Sequence, residues 1–163
     1  MARKYVIKLE PMNLNITPLG FHKYARDYLR TADNLILEPK YSPVPYFLYC
    51  RAIELGLKAF LLAKGKKLKF VKDNVGHDLT KGLENARQLA LDDIIGTTEI
   101  EKNQIELANK YYKDKGFEYF FVLNHASGLQ RLPELDVLKK YTHKLLNKIK
   151  PLTDNTDVFR VED

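Results

Sequence analysis

Hydrophobic residues recur at intervals of three and four along most of the chain, which is the period of an amphipathic α-helix. The first such stretch begins at Pro18, and its apolar face is formed by Phe21, Tyr24, Tyr28, Ala32, Leu35 and Ile36. Pro39 should end it, because a proline pushes the residue before it out of helical geometry. We therefore predict a first helix between these two prolines.

The stretch from about Pro45 to Lys64 is apolar in almost every direction around a helix axis, and Gly65 follows it as a stop signal. A helix that is hydrophobic on all sides belongs inside a protein, since no side of it favours contact with water. We therefore predict that this second helix lies at the centre of the fold. The side chains that we expect to be buried there are Cys50, Ile53, Leu57 and Leu61.

Capping signals predict three more helices. Asp78 is placed to cap the third, and Thr98 with Glu101 forms a capping-box pattern ahead of the fourth. Pro133 opens the fifth at a position where proline is tolerated, and Pro151 should end it. The apolar stripes of these helices are Leu79, Leu83, Ala86 and Leu89, then Ile105, Ala108, Tyr111 and Tyr112, and finally Leu135, Leu138, Tyr141, Leu145 and Ile149.

Five amphipathic helices with short connections indicate an all-α protein, a bundle of four to five helices in which each apolar stripe is covered by another helix. The aromatic run near residues 118–123 is too short to classify by its period, and we predict a strand-like or extended segment there. The chain divides into an extended segment at 1–16, the bundle at 17–150 and an acidic tail at 151–163.

The composition is that of one soluble domain of 163 residues, of which 45% are apolar and 29% are charged. No apolar run approaches the roughly 18 residues that would suggest a membrane span, and no secretory signal is visible at the start. The single cysteine, Cys50, cannot form an internal disulfide. We therefore expect a cytoplasmic protein that does not contact a membrane.

A net charge of +6 raises the question of a nucleic-acid partner, because clustered lysines attract phosphates. The lysines gather in two parts of the sequence. They could equally be solvated side chains, since lysine is common on protein surfaces. The two groups are Lys64, Lys66, Lys67, Lys69 and Lys72, and Lys139, Lys140, Lys144, Lys148 and Lys150.

Three charged residues interrupt the apolar second helix. At about 100° per residue, Arg51, Glu54 and Lys58 fall within an arc of roughly 60° and share one narrow face. One interpretation is an ion-paired cluster at the edge of the core, because buried charges normally survive by pairing. The other is a polar groove in which Arg51 or Lys58 receives an anionic ligand. Together with His77 and Asp78 at the start of the third helix, these are our candidate ligand-binding residues.

The histidines lack the close spacing of a metal site, and the lone cysteine has no second thiol nearby. They are His22, His77, His125 and His143. The sequence contains no glycine-rich phosphate loop and no nucleophile elbow. We therefore predict neither a metal nor a cofactor.

Several stretches resemble the HEPN superfamily of small helical proteins. The resemblance lies in PVPYFLYCRAIELGLKAFLLAKG followed by VGHDLTKGLENA, in the matching first helix FHKYARDYLRTADNLI, and in the closing segment EYFFVLNHASGLQRLPELDVL. It covers about residues 17–150 and implies an up-and-down bundle that often forms a homodimer. The rings of Tyr119, Phe120 and Phe121 exceed what one short element can bury, and they also favour a homodimer.

Many HEPN proteins are metal-independent ribonucleases in which an arginine near the last helix is followed by a histidine, with four to six residues between them. No arginine of this chain is followed by a histidine at that spacing, and His125 precedes Arg131. The resemblance therefore implies a noncatalytic module that binds a nucleotide or RNA, or that partners a nucleotidyltransferase in a toxin-antitoxin or defence system. The alternative is a divergent ribonuclease in which His125, Arg131 and His143 act together across a dimer interface.

Overall fold

A computed structural model describes residues 16–36, 42–118 and 132–154 of the chain. All regular secondary structure in these ranges is α-helical, which confirms the all-α class predicted from the sequence. The helices of the described residues are α1 (Pro18–Asp33), α2 (Val44–Ala63), α3 (Leu68–Asn74), α4 (Leu79–Arg87), α5 (Leu91–Ile95), α6 (Glu99–Tyr112) and α7 (Leu135–Asp154). The predicted strand-like segment, apart from its first residue, lies outside the described residues, as do most of the two terminal segments.

The five predicted helices correspond to α1, α2, α4, α6 and α7, whereas the sequence pattern does not predict α3 and α5. Helix α3 has seven residues and buries Val71, and α5 has five residues and buries Leu91 and Ile95. A helix that buries one or two side chains is too short for a spacing of three and four to become visible. For this reason both helices look like connections in the sequence.

Helix α2 lies at the centre of the fold and contacts α1, α3, α4, α6 and α7. The four side chains predicted to be buried in it are all 0% exposed, namely Cys50, Ile53, Leu57 and Leu61. This confirms the predicted central position of the helix. Helix α7 approaches α2 closely at Gly56, where an added Cβ atom would lie only 2.7 Å from Leu146 Cδ2. The absence of a side chain at this position therefore allows the two longest helices of the described residues to pack tightly.

The predicted starts of α4 and α6 are confirmed. The Asp78 carboxylate accepts a hydrogen bond of 3.0 Å from the backbone N–H of Lys81 and so caps α4. Thr98 and Glu101 form the capping box of α6, in which each side chain accepts a hydrogen bond from the backbone N–H of the other residue. Both caps satisfy N–H groups that the first helical turn leaves without intrahelical partners.

The end of α2 depends on Gly65, which adopts a φ of +84°. Its backbone N–H donates to the carbonyl of Leu62 at 2.9 Å, and the N–H of Lys66 donates to the carbonyl of Leu61 at 3.0 Å. These two bonds form a Schellman motif, whose left-handed residue is usually glycine because a Cβ atom is strained in that conformation. The predicted stop of the second helix is confirmed.

The predicted end of the first helix is wrong. Helix α1 stops at Asp33, well before Pro39, and Ile36 is 94% exposed instead of contributing to a buried face. Asn34 occupies the C-cap position. Asparagine competes with helical hydrogen bonding through its own side chain and favours helix ends, so the apolar spacing continues past the point where the helix stops.

The predicted end of the last helix is also wrong, because α7 continues through Pro151 to Asp154. The missing N–H of a proline and its ring disfavour such a position. Packing compensates in the final turn, where Thr153 is completely buried and its hydroxyl donates to the carbonyl of Lys150 at 3.0 Å. Lys150 Nζ also lies 2.6 Å from Asp154 Oδ2. Contacts of the last turn therefore outweigh the helix-breaking tendency of the proline.

We expect Leu57→Ala to lower the free energy of unfolding by about 2–5 kcal/mol, because it leaves a cavity in the contact between α2 and α4. Ile100→Ala is the matched control, since Ile100 is 66% exposed and its truncation should change the stability by about 0.5 kcal/mol or less. Urea-induced unfolding followed by circular dichroism measures both variants. Equal and small losses in the two variants would contradict the central placement of α2.

Candidate functional site

The charged face of α2 is a buried network centred on Glu54, whose side chain is only 1% exposed. Arg51 lies one turn before it, and Arg51 Nη1 is 3.0 Å from both carboxylate oxygens. Lys58 lies one turn after it, and Lys58 Nζ is 2.6 Å from Glu54 Oε1. The spacing along one helix therefore places a cation on each side of the buried carboxylate.

Two side chains from other parts of the chain complete this network. His77, in the turn before α4, has its Nδ1 atom 3.2 Å from Glu54 Oε2 and 3.3 Å from Arg51 Nη1. The hydroxyl of Tyr112, at the end of α6, donates a hydrogen bond to Glu54 Oε2. We call these five residues the Glu54 network. Its carboxylate is occupied at both oxygens and is therefore poorly placed to take a proton from a substrate.

Opposite charges shift the pKa values of Glu54 and Arg51 toward their ionised forms. Burial by itself would raise the pKa of Glu54, but Lys58 and Arg51 outweigh it and lower that pKa below its ordinary value. Burial would lower the pKa of Arg51, but Glu54 outweighs it and raises that pKa. Burial and the Glu54 charge raise the pKa of Tyr112, so its hydroxyl keeps the proton that it donates. One carboxylate facing two cations leaves a positive surplus.

Arg51 connects the network to a surface cleft of about 280 Å³, which we call the Arg51 cleft. The Arg51 side chain is 28% exposed, whereas the Lys58 side chain is only 11% exposed and does not line the cleft. The Arg51 guanidinium carbon lies 6.0 Å from the centre of the Tyr28 ring. The described residues that line the cleft are Tyr28, Phe47, Arg51, His77, Tyr112, Lys113, Lys115 and Glu118. The cleft therefore combines cationic groups with aromatic walls.

Asp78, the fifth predicted ligand-binding residue, forms hydrogen bonds that stabilise the fold. Besides capping α4, its carboxylate accepts a hydrogen bond of 2.8 Å from Asn109 Nδ2. Asn109 is buried on α6, and its Oδ1 atom accepts a hydrogen bond of 2.8 Å from the backbone N–H of Leu79. These bonds join the start of α4 to α6. They thereby hold the turn that carries His77 beside the Glu54 network.

Only one of the three residues of the alternative ribonuclease site, His143, lies within the described residues. His125 and Arg131 lie outside those residues, so their position is not described. His143 lies on α7, where its Nε2 atom is 2.9 Å from Asp33 Oδ2. Asp33 also accepts a hydrogen bond of 3.0 Å from the Tyr49 hydroxyl. His143 lines a second cleft of about 310 Å³, whose described lining contains none of the residues of the Arg51 cleft.

The remaining histidine, His22, is buried on α1 and bonds to the backbone of α7. Its Nε2 atom lies 2.8 Å from the carbonyl oxygen of Leu146 and must carry the proton, because a carbonyl only accepts. Burial lowers the pKa of His22 in spite of this bond. Among the described side chains, no group of three or more histidine, cysteine, aspartate or glutamate residues is arranged to hold a metal ion. No described helix has the length and apolar character needed to cross a membrane.

The sequence pattern places Tyr112 in an apolar stripe and does not connect it to the Glu54 network. Tyr112 and Glu54 are 58 positions apart, so no helical spacing relates them. One signal was available, because a tyrosine on a buried helix face brings a hydroxyl that needs a hydrogen-bond partner. The cleft residues Lys113 and Lys115 follow the end of α6 and carry no comparable signal.

Comparisons with family models, with curated proteins and with solved structures found no match to this chain. The relation to the HEPN superfamily therefore rests on the sequence stretches that resemble it. The geometry of the Glu54 network and of the Arg51 cleft is independent of that resemblance, since it follows from the contacts of this chain alone.

We expect Glu54→Gln to lower the free energy of unfolding by about 3–5 kcal/mol, because it leaves the Lys58 and Arg51 cations without their buried counter-charge. Lys58→Met is the matched comparison. It removes one cation and leaves the Arg51–Glu54 pair with no net charge, so the loss should be smaller. Chemical denaturation at neutral pH measures both, and an equal loss in the two variants would contradict the central role of the carboxylate.

The same carboxylate predicts how stability depends on pH. Because the pKa of Glu54 is lower in the folded state than its ordinary value of 4.5, its contribution is fully present above that value. The contribution is lost as the pH falls through the lower, folded-state pKa. The free energy of unfolding of the parent should therefore fall more steeply below pH 4.5 than that of Glu54→Gln. Parallel pH profiles would show that Glu54 contributes nothing to acid unfolding.

Proposed function

We propose that this chain is a noncatalytic, HEPN-like binding module that holds a nucleotide or RNA in the Arg51 cleft. The supporting observation is that one cleft of about 280 Å³ contains cationic groups, through Arg51, Lys113 and Lys115, together with aromatic rings. Proteins that bind nucleotides and single-stranded nucleic acids combine these two features, because cations attract phosphates and rings stack on bases.

Arg51 is the group best placed to meet a phosphate. Its bonds to Glu54 and its contact with His77 both use Nη1, and the Tyr112 hydroxyl also interacts with the guanidinium. A guanidinium carries five N–H groups, so donors remain for a phosphate after these contacts. Since the buried Glu54 carboxylate already holds this side chain in place, little conformational entropy remains to be lost when a ligand binds. Lys58 supports the site indirectly, by neutralising Glu54.

The rings of the cleft are suited to a base. Tyr28 and Phe47 are partly exposed, whereas Tyr112 is buried and its ring is in tilted contact with the Phe47 ring, at 6.2 Å between ring centres. A planar base stacks on an exposed ring without regard to its identity. The carboxylate of Glu118 also lines the cleft and opposes an anion, but Lys113 and Lys115 outnumber it. We therefore place a base against the Tyr28 or Phe47 ring and its phosphate at Arg51.

A divergent ribonuclease is the second candidate function, and one observation favours it. His77 has its Nδ1 atom near Glu54 and Arg51, its Nε2 atom has no hydrogen-bond partner among the described residues, and its side chain is 66% exposed. A histidine with a free ring nitrogen beside a fixed cation has the elements of acid–base cleavage of a phosphodiester. The missing arginine–histidine spacing of the sequence weighs against this function. His125, Arg131 and His143 remain the other residues proposed for cleavage.

The resemblance also supports proposals about partners. We propose a homodimer, and a pairing with a nucleotidyltransferase in a toxin-antitoxin or defence system. The homodimer has a direct test in sedimentation velocity across a dilution series, in which the sedimentation coefficient should fall as the dimer dissociates. A constant coefficient of the monomer at all micromolar concentrations would exclude it.

We expect labelled single-stranded RNA and a labelled adenine nucleotide to bind the chain, and the double variant Lys113→Gln, Lys115→Gln to bind both more weakly. The slope of log K against log salt for RNA should become shallower by about 0.7 for each phosphate that a lysine no longer neutralises. The control is Lys23→Gln, Lys140→Gln, which removes the same charge from exposed positions on α1 and α7. Fluorescence anisotropy measures the affinities. Equal binding by the two double variants would contradict a site in the Arg51 cleft.

The same RNA separates binding from catalysis when it is incubated with the purified protein in the absence of metal ions. We expect binding without cleavage. Cleavage that disappears in His77→Ala would assign a ribonuclease to the Arg51 cleft, and cleavage that disappears in His125→Ala would assign it to the other proposed site. Either result would replace the binding module by a nuclease.

A further inference from the structure

The turn after α2 and helix α3 concentrate positive charge on the surface. The ten residues from Lys64 to Asp73 contain five lysines and a single carboxylate. All but one of these lysines are exposed, the exception being the partly buried Lys66. We call them the lysine ridge, which consists of Lys64, Lys66, Lys67, Lys69 and Lys72.

Most of this charge is not neutralised within the described residues. The one ion pair of the ridge joins Lys69 Nζ to Asp73 Oδ2 at 2.5 Å. Lys66 Nζ instead lies over the ring of Phe70, 4.5 Å from its centre, and Lys64 Nζ lies 5.5 Å from the centre of the Phe60 ring. Contacts with rings leave the positive charge in place.

The ridge gives the fold little compensation for its repulsion. Lys69 and Lys72 lie three positions apart on α3, and like charges at that spacing destabilise a helix. The ion pair of Lys69 and the ring contacts of Lys64 and Lys66 offset only part of that cost. Helix α3 has only seven residues and buries Val71, so its packing offers little to offset that repulsion. The charge is therefore better explained by an anionic ligand than by stability of the domain.

The ridge is joined to the Arg51 cleft by a short turn. After α3, the backbone N–H of Gly76 donates to the carbonyl of Val71, and a Cβ atom on Gly76 would lie 3.8 Å from the carbonyl oxygen of Lys72. The next residue is His77, which lines the cleft and whose Nδ1 atom is 3.3 Å from Arg51 Nη1. Only four residues therefore separate Lys72, the last lysine of the ridge, from a residue of the cleft.

The length of the ridge indicates a polymer. A helix rises 1.5 Å per residue, so α3 alone is about 10 Å long, which exceeds what the phosphate of one nucleotide could cover. Phe70 is partly exposed and borders a depression of about 460 Å³ that could take another base. We infer that the ligand is a single-stranded polynucleotide, with one base in the Arg51 cleft and its backbone following the lysine ridge. This rests on the proposed function.

The test compares three variants that remove charge from different places. The ridge variant is Lys64→Gln, Lys67→Gln, Lys72→Gln, which spares the ion-paired Lys69. The charge control is Lys23→Gln, Lys140→Gln, Lys148→Gln, which removes the same charge from exposed positions on α1 and α7. The cleft variant is Lys113→Gln, Lys115→Gln.

The probes are a labelled oligouridine of about 12 nucleotides and a labelled uridine mononucleotide. Circular dichroism confirms that each variant folds, and anisotropy is recorded at several salt concentrations. For the ridge variant, the oligouridine slope of log K against log salt should become shallower by about 2, since three phosphates at ~0.7 each are no longer neutralised. Its affinity for the mononucleotide should not change, and the charge control should behave as the parent.

A ridge variant with the slope of the parent would overturn the inference and leave the proposed function standing. So would an equal loss in the charge control, because the effect would then be one of overall charge. Displacement of the oligouridine by polyglutamate as effectively as by unlabelled RNA would also overturn it, in favour of an acidic protein partner. If oligouridine binding were lost in the ridge variant but not in the cleft variant, the lysine ridge would be supported as a binding surface. The same result would contradict a binding site in the Arg51 cleft. If neither probe bound the parent protein, both the inferred polynucleotide ligand and the proposed function would be contradicted.

Discussion

Burial of the Glu54 carboxylate in the central helix is the constraint on which the site depends. Removing such a charge from water costs several kcal/mol unless opposite charges and hydrogen bonds replace the lost hydration. At 1% exposure, Glu54 has to obtain all of these from the protein. It obtains cations from its own helix, through Arg51 and Lys58, and a hydroxyl from α6, through Tyr112. The need to satisfy one carboxylate therefore fixes α6 against α2.

The same constraint produces a group that is available for binding. Two cations around one carboxylate leave a positive surplus, and the deeper of the two, Lys58, is enclosed. The positive charge that Glu54 does not neutralise is therefore at Arg51. Arg51 lies at the wall of the cleft and is held by two contacts to the buried Glu54 carboxylate. A structural ion pair and a ligand-binding groove, the two interpretations of the charged stripe, are therefore compatible. Glu54 and Lys58 belong to the first, and Arg51 belongs to the ion pairs and also lines the cleft of the proposed function.

Contacts between residues that are close in the sequence could be predicted, whereas contacts between residues far apart in the sequence could not. The shared face of Arg51, Glu54 and Lys58 follows from helical spacing, and the burial of α2 follows from its apolar composition. Tyr112 could not be assigned to the network, because only the packing of α6 against α2 brings it there. The predictions that the first helix ends at Pro39 and the last helix at Pro151 are wrong for a related reason. Local propensity does not include the contacts that end or extend a helix.

The lysines of this chain show why residue type alone does not separate charges that serve the fold from charges that serve a ligand. Lys58 follows an acidic residue by four positions within a buried helix, so its charge is matched and its burial contributes to stability. Lys64, Lys67 and Lys72 lie where the apolar pattern is weakest, on and beside a helix that buries Val71. Lys64 contacts the Phe60 ring, but none of these three lysines has an ion-pair partner among the described residues. A row of positive charge that the domain does not neutralise is the observation on which the inferred polynucleotide depends, because an anion long enough to follow the row would supply the missing counter-charge.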